Sequence, residues 1–444
     1  MDNMSIDTWK SISLRKCGKW LSGGTPSKDR ADFWNGDIPW ISAKSMYTVR
    51  ITDSDDRITT KGANTSTKVV PARAILILVR GSILHQRIPI GITAREVAFN
   101  QDVKALITSK EILPEFMLYW LLANESHLLE MVELTGIGAG KLSTDLLYKV
   151  EVRLPPLPEQ RAIARILGSL DDKIELNRRM NMTLEEMARA IFKSWFVDFD
   201  PVHAKAEGRA PVGMDAETAA LFPDEFDDSE LGEVPKGWKV VSVSHVAKII
   251  KGRSYKSPEL APSSTALVTL KSIERGGGYR PDGLKSFTGE YKPDQVVKPG
   301  EMVVACTDVT QAAEVIGRPA IVRNNPNFDT LVGSLDLAIV RPKVSYIGIP
   351  FIYLLFLGDD FQNHIYGHTN GTTVLHLDKN GISSYEFVCP PAPILQCFHD
   401  ISSSIFQKIE TNELQSRTLA ALRDALLPKL ISGKIRVNDA EKAI

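Results

Sequence analysis

From Pro158 to Phe196, apolar residues recur every third or fourth position. Ile163, Leu170, Leu184 and Ile191 share one heptad lattice, and Asn177 occupies the step between Leu170 and Leu184. This spacing predicts a long helix with a narrow apolar seam, as in a helix that pairs with another helix. Pro158 suits the first turn, and Glu159 sits where the helix dipole favours a carboxylate. The pattern returns at an offset of 235 residues: Ile163 matches Phe398, Leu170 matches Ile405, Ile174 matches Ile409, Asn177 matches Asn412 and Ile191 matches Leu426. A second helix is therefore expected from near Pro393 to near Gly433, a glycine placed to end it. An unbroken helix over Pro158–Phe196 would measure roughly 58 Å.

The duplication extends upstream. Glu151-Val-Arg-Leu-Pro-Pro-Leu-Pro matches Glu386-Phe-Val-Cys-Pro-Pro-Ala-Pro without a gap. More loosely, Trp9-Lys10 matches Trp238-Lys239, and Lys44-Ser45-Met46 matches Lys271-Ser272-Ile273. Pro71-Ala72 ahead of Ile75–Ile77 matches Pro299-Gly300 ahead of Met302–Val304, and Phe116 matches Phe351. Short β-rich runs alternate here with turns and short helices such as Glu115–Ala123. The expected fold class is α/β. Two mixed α/β domains, 1–150 and 237–385, are separated by two long antiparallel helices in 151–200 and 386–436. Residues 201–236 connect the repeats, and antiparallel helices would give the duplication a pseudo-two-fold relation.

Composition adds little until it is divided. The chain has 444 residues, 43% apolar and 24% charged, with a net charge of −1. These are the values of an ordinary globular protein that needs no disulfide scaffold. Residues 1–110 carry 17 bases against 10 acids, and residues 237–345 carry 15 against 10. The connector carries nine acids and three bases, which suggests a solvated strap. Two basic domains point to a phosphate-bearing partner. No apolar run is long enough to span a bilayer, and Met1–Lys10 lacks a targeting pattern. Cys17, Cys306, Cys389 and Cys397 form no C-x-x-C pair, so a reducing cytoplasm is the expected location.

Enzyme motifs fail on spacing. Gly136-Ile-Gly-Ala-Gly-Lys141 has three residues between its outer glycines and Leu142 after the lysine, where a phosphate loop needs four and a hydroxyl residue. It reads as a turn before a strand. Asn325-Pro-Asn-Phe328 lacks the second proline of the amino-methyltransferase loop it resembles. His364 and His368 could share a helix face, but no acid lies between them as in a zincin, and Tyr366-Gly367 is expected to break the helix. No metal site is assigned, and no catalytic residue.

Basic and hydroxyl residues sit instead in glycine-bearing loops with aromatic neighbours, including Trp34 and Trp40. Arg, Lys and Ser in such loops can contact phosphates and base edges. By charge, loop composition and motif position, the candidate DNA contacts are Thr25, Lys28, Arg30, Lys44, Ser45, Arg80 and Arg87 in the first repeat. In the second they are Arg253, Lys256, Lys271, Arg275 and Arg280.

Several segments together resemble the specificity (S) subunit of type I restriction–modification systems. They are Ser22-Gly-Gly-Thr-Pro-Ser27, Gly36-Asp-Ile-Pro-Trp-Ile-Ser42, Leu154-Pro-Pro-Leu-Pro-Glu-Gln-Arg-Ala-Ile163, Asp171-Asp-Lys-Ile-Glu175 and Leu426-Leu-Pro-Lys-Leu-Ile-Ser-Gly-Lys434. The resemblance covers nearly the whole chain and includes its duplication. It departs at Pro393-Ile-Leu-Gln396, where the first repeat has Pro158-Glu-Gln-Arg161. Any partner contact by Glu159 and Gln160 would thus differ in the second repeat. Asn177 and Asn412 are expected to set helix register within the spacer.

The resemblance implies two target recognition domains, each reading half of a split sequence in double-stranded DNA, with the helices as spacer. It implies assembly with two methyltransferase subunits for N6-adenine methylation and with restriction subunits that couple a motor to a nuclease. S-adenosylmethionine, ATP and Mg²⁺ would bind those partners, and none would bind this chain. The competing expectation is a fused methyltransferase or nuclease with its own active site. The spacer reading makes a quantitative prediction. Inserting four residues into both helices should widen the gap between recognised half-sites by about 6 Å, close to two base pairs. Sequencing the methylated sites of a strain carrying the insertion checks it, and an unchanged gap overturns it.

Overall fold

The structure is a computed structural model that describes residues 9–134, 139–310, 312–372 and 374–441. The glycines Gly136 and Gly138 of the expected turn lie outside the described residues. Two compact units emerge: residues 1–177 with 414–444, and residues 178–413. The boundary does not follow the expected domains. It cuts through both long helices, Leu157–Phe196 and Ala392–Ile431.

The first unit is built on a five-stranded sheet. Its order is Gly18–Ser22, Val103–Thr108, Ile75–Leu78, Ile90–Thr93 and Arg50–Ile51. Ile75–Leu78 is central and fully buried, which explains its unbroken apolar run. A four-stranded sheet holds Trp34–Ile41 and Val97–Phe99 side by side. A three-stranded sheet pairs Gly140–Leu142 with Val132–Leu134 on one side and Arg80–Gly81 on the other. Finally Lys10–Ser13 pairs antiparallel with Glu151–Leu154, the strand that leads into the first long helix.

The second unit repeats this plan. Lys239–Ser242 pairs with Glu386–Cys389 ahead of the second long helix, and Lys239 opposite Cys389 reproduces Lys10 opposite Leu154. Met302–Ala305 takes the place of Ile75–Leu78 and is equally buried. The strand Leu375–Leu377, between Thr307–Asp308 and Thr369–Asn370, reproduces the small three-stranded sheet.

Each unit contains a segment of both helices, and within each unit those segments run antiparallel. In the first, Arg423 Nη1 donates to Asp171 Oδ1 at 2.7 Å, and Asn177 Nδ2 donates to Gln415 Oε1 at 3.0 Å and Ser416 Oγ at 3.2 Å. In the second, Asn412 Nδ2 donates to Asn181 Oδ1 at 2.8 Å. Ser416 lies 235 residues after Asn181, so the same polar bridge is made twice. Asn177 and Asn412 are 1% and 2% exposed, as a seam position requires.

The helix entries differ, and here the sequence expectation is corrected. Gln160 is 1% exposed and offers nothing to another subunit. Its Oε1 accepts from the Leu113 amide at 2.8 Å, while Nε2 donates to the carbonyls of Pro155 and Glu111 at 2.9 and 3.1 Å. Glu159 accepts from the Trp9 indole at 3.1 Å. The motif bolts the helix to its own domain. At the equivalent positions Ile394 and Leu395 are buried among Phe351, Phe398 and Trp238. An aromatic cluster does there what hydrogen bonds do in the first unit. Trp238 Nε1 is buried without a hydrogen-bond partner, in keeping with the missing glutamate.

The acidic connector is also folded. It contains helices Asp200–Ala206 and Ala216–Ala220 and a hairpin of Phe226–Ser229 with Gly232–Pro235. Phe222 is 2% exposed and meets the Trp195 ring at 5.2 Å. The acidic side chains of this segment face water, Lys205 donates to the Ala219 and Phe222 carbonyls, and its few aromatics anchor it. The four cysteines are free thiols, and no helix of the described residues is long and apolar enough to cross a membrane.

Two substitutions test these anchors. Gln160→Leu should lower the stability of the first unit by about 2–4 kcal/mol, because three backbone groups lose their partner, as read by denaturant unfolding. Replacing both Asn177 and Asn412 by Leu should raise the melting temperature but loosen register. Spin labels at positions 172 and 424 would then report a broadened distance distribution. A distribution as sharp as in the parent chain shows that these amides do not set register.

Candidate nucleic-acid interface

Three chain segments meet at one edge of the first unit. Gly23 follows the strand Gly18–Ser22 and lies so close to the neighbouring chain that a Cβ there would stand 2.1 Å from the Phe99 carbonyl oxygen. The Gly24 amide donates to that carbonyl at 3.0 Å, and the Asn100 amide donates to the Ile41 carbonyl at 2.9 Å. Thr25 Oγ1 donates to Gln101 Oε1 at 2.6 Å. The Trp40 indole donates to the Gly24 carbonyl at 3.0 Å, so this aromatic supports the loop from beneath.

The second unit builds the same edge. A Cβ on Gly252 would stand 2.0 Å from the Ser334 carbonyl oxygen. The Arg253 amide donates to the Gly333 carbonyl at 2.6 Å, and the Ser334 amide to the Val268 carbonyl at 2.9 Å. In both units the segment leaving that last carbonyl enters a short 3₁₀ turn, Ala43–Ser45 or Leu270–Ser272. With three residues per turn, adjacent side chains point about 120° apart. Lys44 and Lys271 point to solvent, and Ser45 and Ser272 are buried. Ser45 Oγ lies 2.7 Å from Ser54 Oγ, which is hydrogen-bonded within the fold. Ser45 is therefore a support for the turn, contrary to its selection as a DNA contact.

Carboxylates divide the remaining basic candidates. Arg30 donates twice to Asp32, each bond 2.8 Å long. Hydrogen bonds from Arg30, then from Lys61, hold the Asp32 carboxyl well below the usual carboxylate range, so the pair persists at neutral pH. Arg280 is similarly forked to Asp282, whose carboxyl it pulls down. Arg275 meets Glu314 at 3.2 Å but stays 73% exposed. Arg253 is drawn inward: its guanidinium donates to the Glu290 carbonyl at 2.6 Å and to Glu259 at 3.2 Å. Its sequence context resembled a reading loop, yet its donors are used to close that loop. Lys28, Lys44, Arg80, Arg87, Lys256 and Lys271 are exposed and form no ion pair among the described residues.

One exposed side chain escaped the sequence reading. Tyr47 follows the first turn and is 72% exposed. Selection by positive charge and by serine or threonine passes over it, and a lone tyrosine carries no sequence signal of exposure. Its counterpart in the second unit is Glu274. The histidine pair behaves differently from expectation. The helix Asp359–Gly367 runs through Tyr366 and Gly367. The rings of His364 and His368 stack with centroids 4.1 Å apart. His364 Nε2 lies 2.9 Å from the Gly381 carbonyl and His368 Nδ1 lies 2.8 Å from the His364 carbonyl, so both are occupied within the fold.

Comparison with known proteins agrees with this architecture. The family described as type I restriction modification DNA specificity domain matches residues 6–186. The MjaIX specificity subunit of Methanocaldococcus jannaschii is 27% identical, covering 97% of this chain and 94% of that protein. The HindI specificity subunit of Haemophilus influenzae is 25% identical, covering 83% and 89%. The crystal structure of the S subunit of a type I restriction–modification system from M. genitalium covers 95% of this chain and 96% of its own, with a TM-score of 0.55 at 13% identity. That likeness concerns the fold alone. The duplicated edge, the paired helices and these relatives leave the fused-enzyme expectation without support: the chain matches the type I restriction modification DNA specificity domain over residues 6–186 and is similar over most of its length to type I restriction enzyme specificity subunits.

Proposed function

We propose that the chain recognises a DNA target in two parts, one part at each reading edge, and contributes no catalytic group of its own. The observation that carries this reading is the duplicated edge: three converging segments, the same backbone hydrogen bonds, and an exposed lysine at each turn. Lys44 and Lys271 stand free to meet phosphate, and Thr25, Lys28 and Lys256 belong to the same set of candidate contacts. Base reading falls to the polar groups of these loops, because phosphate contacts position a protein without specifying sequence.

The helix pair supplies the surface for other subunits. Leu176 and Leu414 in the first unit, and separately Met182 and Met187 in the second, are each between 49% and 61% exposed. Apolar side chains in water at such positions favour a protein partner. In this reading two methyltransferase subunits and the restriction subunits dock on the chain and carry S-adenosylmethionine, ATP and Mg²⁺.

Methylome sequencing of a host that expresses the complete system should reveal a split motif with a fixed gap. An uninterrupted motif overturns the two-part reading. Lys44→Gln and Lys271→Gln should each weaken duplex binding and lower the salt slope by about 0.9, the contribution of one phosphate. Titration calorimetry of the chain alone with S-adenosylmethionine should show no binding, and stoichiometric binding would restore the enzyme alternative.

A further inference from the structure

The small three-stranded sheet of the first unit adjoins the reading edge. The Val79 amide donates to the Asp102 carbonyl at 2.7 Å, which joins the start of this sheet to the turn at Asn100. In the sheet Arg80 lies directly opposite Lys141. Directly opposed residues of an antiparallel pair share a face, with Cβ atoms about 5 Å apart, and like charges so placed repel. Both side chains are exposed. Glu133 stands opposite Lys141 on its other side, so the row holds two positive charges and one negative. No ion pair joins Glu133 to Lys141 or Arg80 among the described residues.

The equivalent row of the second unit has the same backbone and different chemistry. Thr307 lies opposite His376, and His376 opposite Asn370. The Cys306 amide donates to the Asp336 carbonyl at 2.7 Å, as Val79 does to Asp102. Thr307 is 8% exposed and donates to Asp336 Oδ1 at 3.1 Å. One row thus sets two fixed cations directly opposite each other, at a position where its twin carries threonine, histidine and asparagine.

We propose that Arg80 and Lys141 together hold one backbone phosphate of the DNA, and that the Thr307–His376 row meets DNA without a fixed cation. This rests on the DNA reading above. A phosphate oxygen between the two cations relieves their repulsion and releases a counterion. The two reading edges then differ in salt dependence, and the first holds its DNA half more electrostatically than the second.

The test uses the full chain and a fluorescent 40-base-pair duplex of mixed sequence, with affinity followed from 50 to 200 mM KCl. Arg80→Gln with Lys141→Gln should lower the slope of log affinity on log salt by about 0.9. Arg80→Lys with Lys141→Arg should restore it, and His376→Gln should leave it unchanged. The double glutamine variant should keep the parent's melting temperature, since both replaced side chains are exposed, and this separates a lost contact from a lost fold. A parental slope in the glutamine variant overturns the proposal while leaving the DNA reading intact. An equal drop in slope for His376→Gln overturns the asymmetry. Failure of the parent chain to bind the duplex would overturn the DNA reading and this proposal with it.

Discussion

A buried amide in an apolar seam has to find a partner, and the helix pair of this protein is arranged around that demand. Asn177 reaches Ser416 and Gln415, and Asn412 reaches Asn181. An unpaired amide in such a place costs about 1–3 kcal/mol, and sliding either helix by one turn would remove the partners. Apolar contacts alone tolerate such a slide, because leucine and isoleucine pack against many neighbours. The observed register is one that gives both amides their partners. Within each unit, that register aligns the helix segments with the strand pair from which a long helix begins.

The two repeats reach the same backbone by different chemistry. Gln160 satisfies three backbone groups of the first unit, whereas Ile394 and Leu395 enter an aromatic cluster in the second. Polar bolts specify geometry sharply and suffer when one member is lost. Aromatic clusters gain from area and tolerate substitution better. The folded acidic connector belongs to the second solution, since Phe222 packs against Trp195 and joins the Trp238 cluster. A similar divergence marks the reading edges, where Tyr47 is replaced by Glu274 and Arg80 by Thr307. Duplicated scaffolds with unlike surfaces suit a task in which two different pieces of one ligand are recognised.

Much of this was legible in the chain. Heptad spacing located both helices to within a residue or two at their N-termini, and the offset of 235 identified the repeat. The match of Lys44-Ser45-Met46 to Lys271-Ser272-Ile273 located a turn that both units share. Residue roles were less legible. Ser45, Arg253 and Gln160 looked like surface contacts by type and context, and each proved to be committed inside the fold. The connector looked like a strap because charge dominates its composition, while two phenylalanines, Phe222 and Phe226, anchor it.

The reason lies in what each level of description contains. Periodicity depends on residues near in sequence, and duplication on residue types alone, so the sequence by itself determined the helices, the two-fold repetition and the resemblance to a family. Whether a polar group faces solvent depends on what is brought against it from far along the chain. Gln160 meets Leu113, Arg253 meets Glu290, and Arg80 faces Lys141 only after the strands have paired. Those encounters were decided by the tertiary structure, because hydrogen bonding and charge act at a few ångströms regardless of sequence distance.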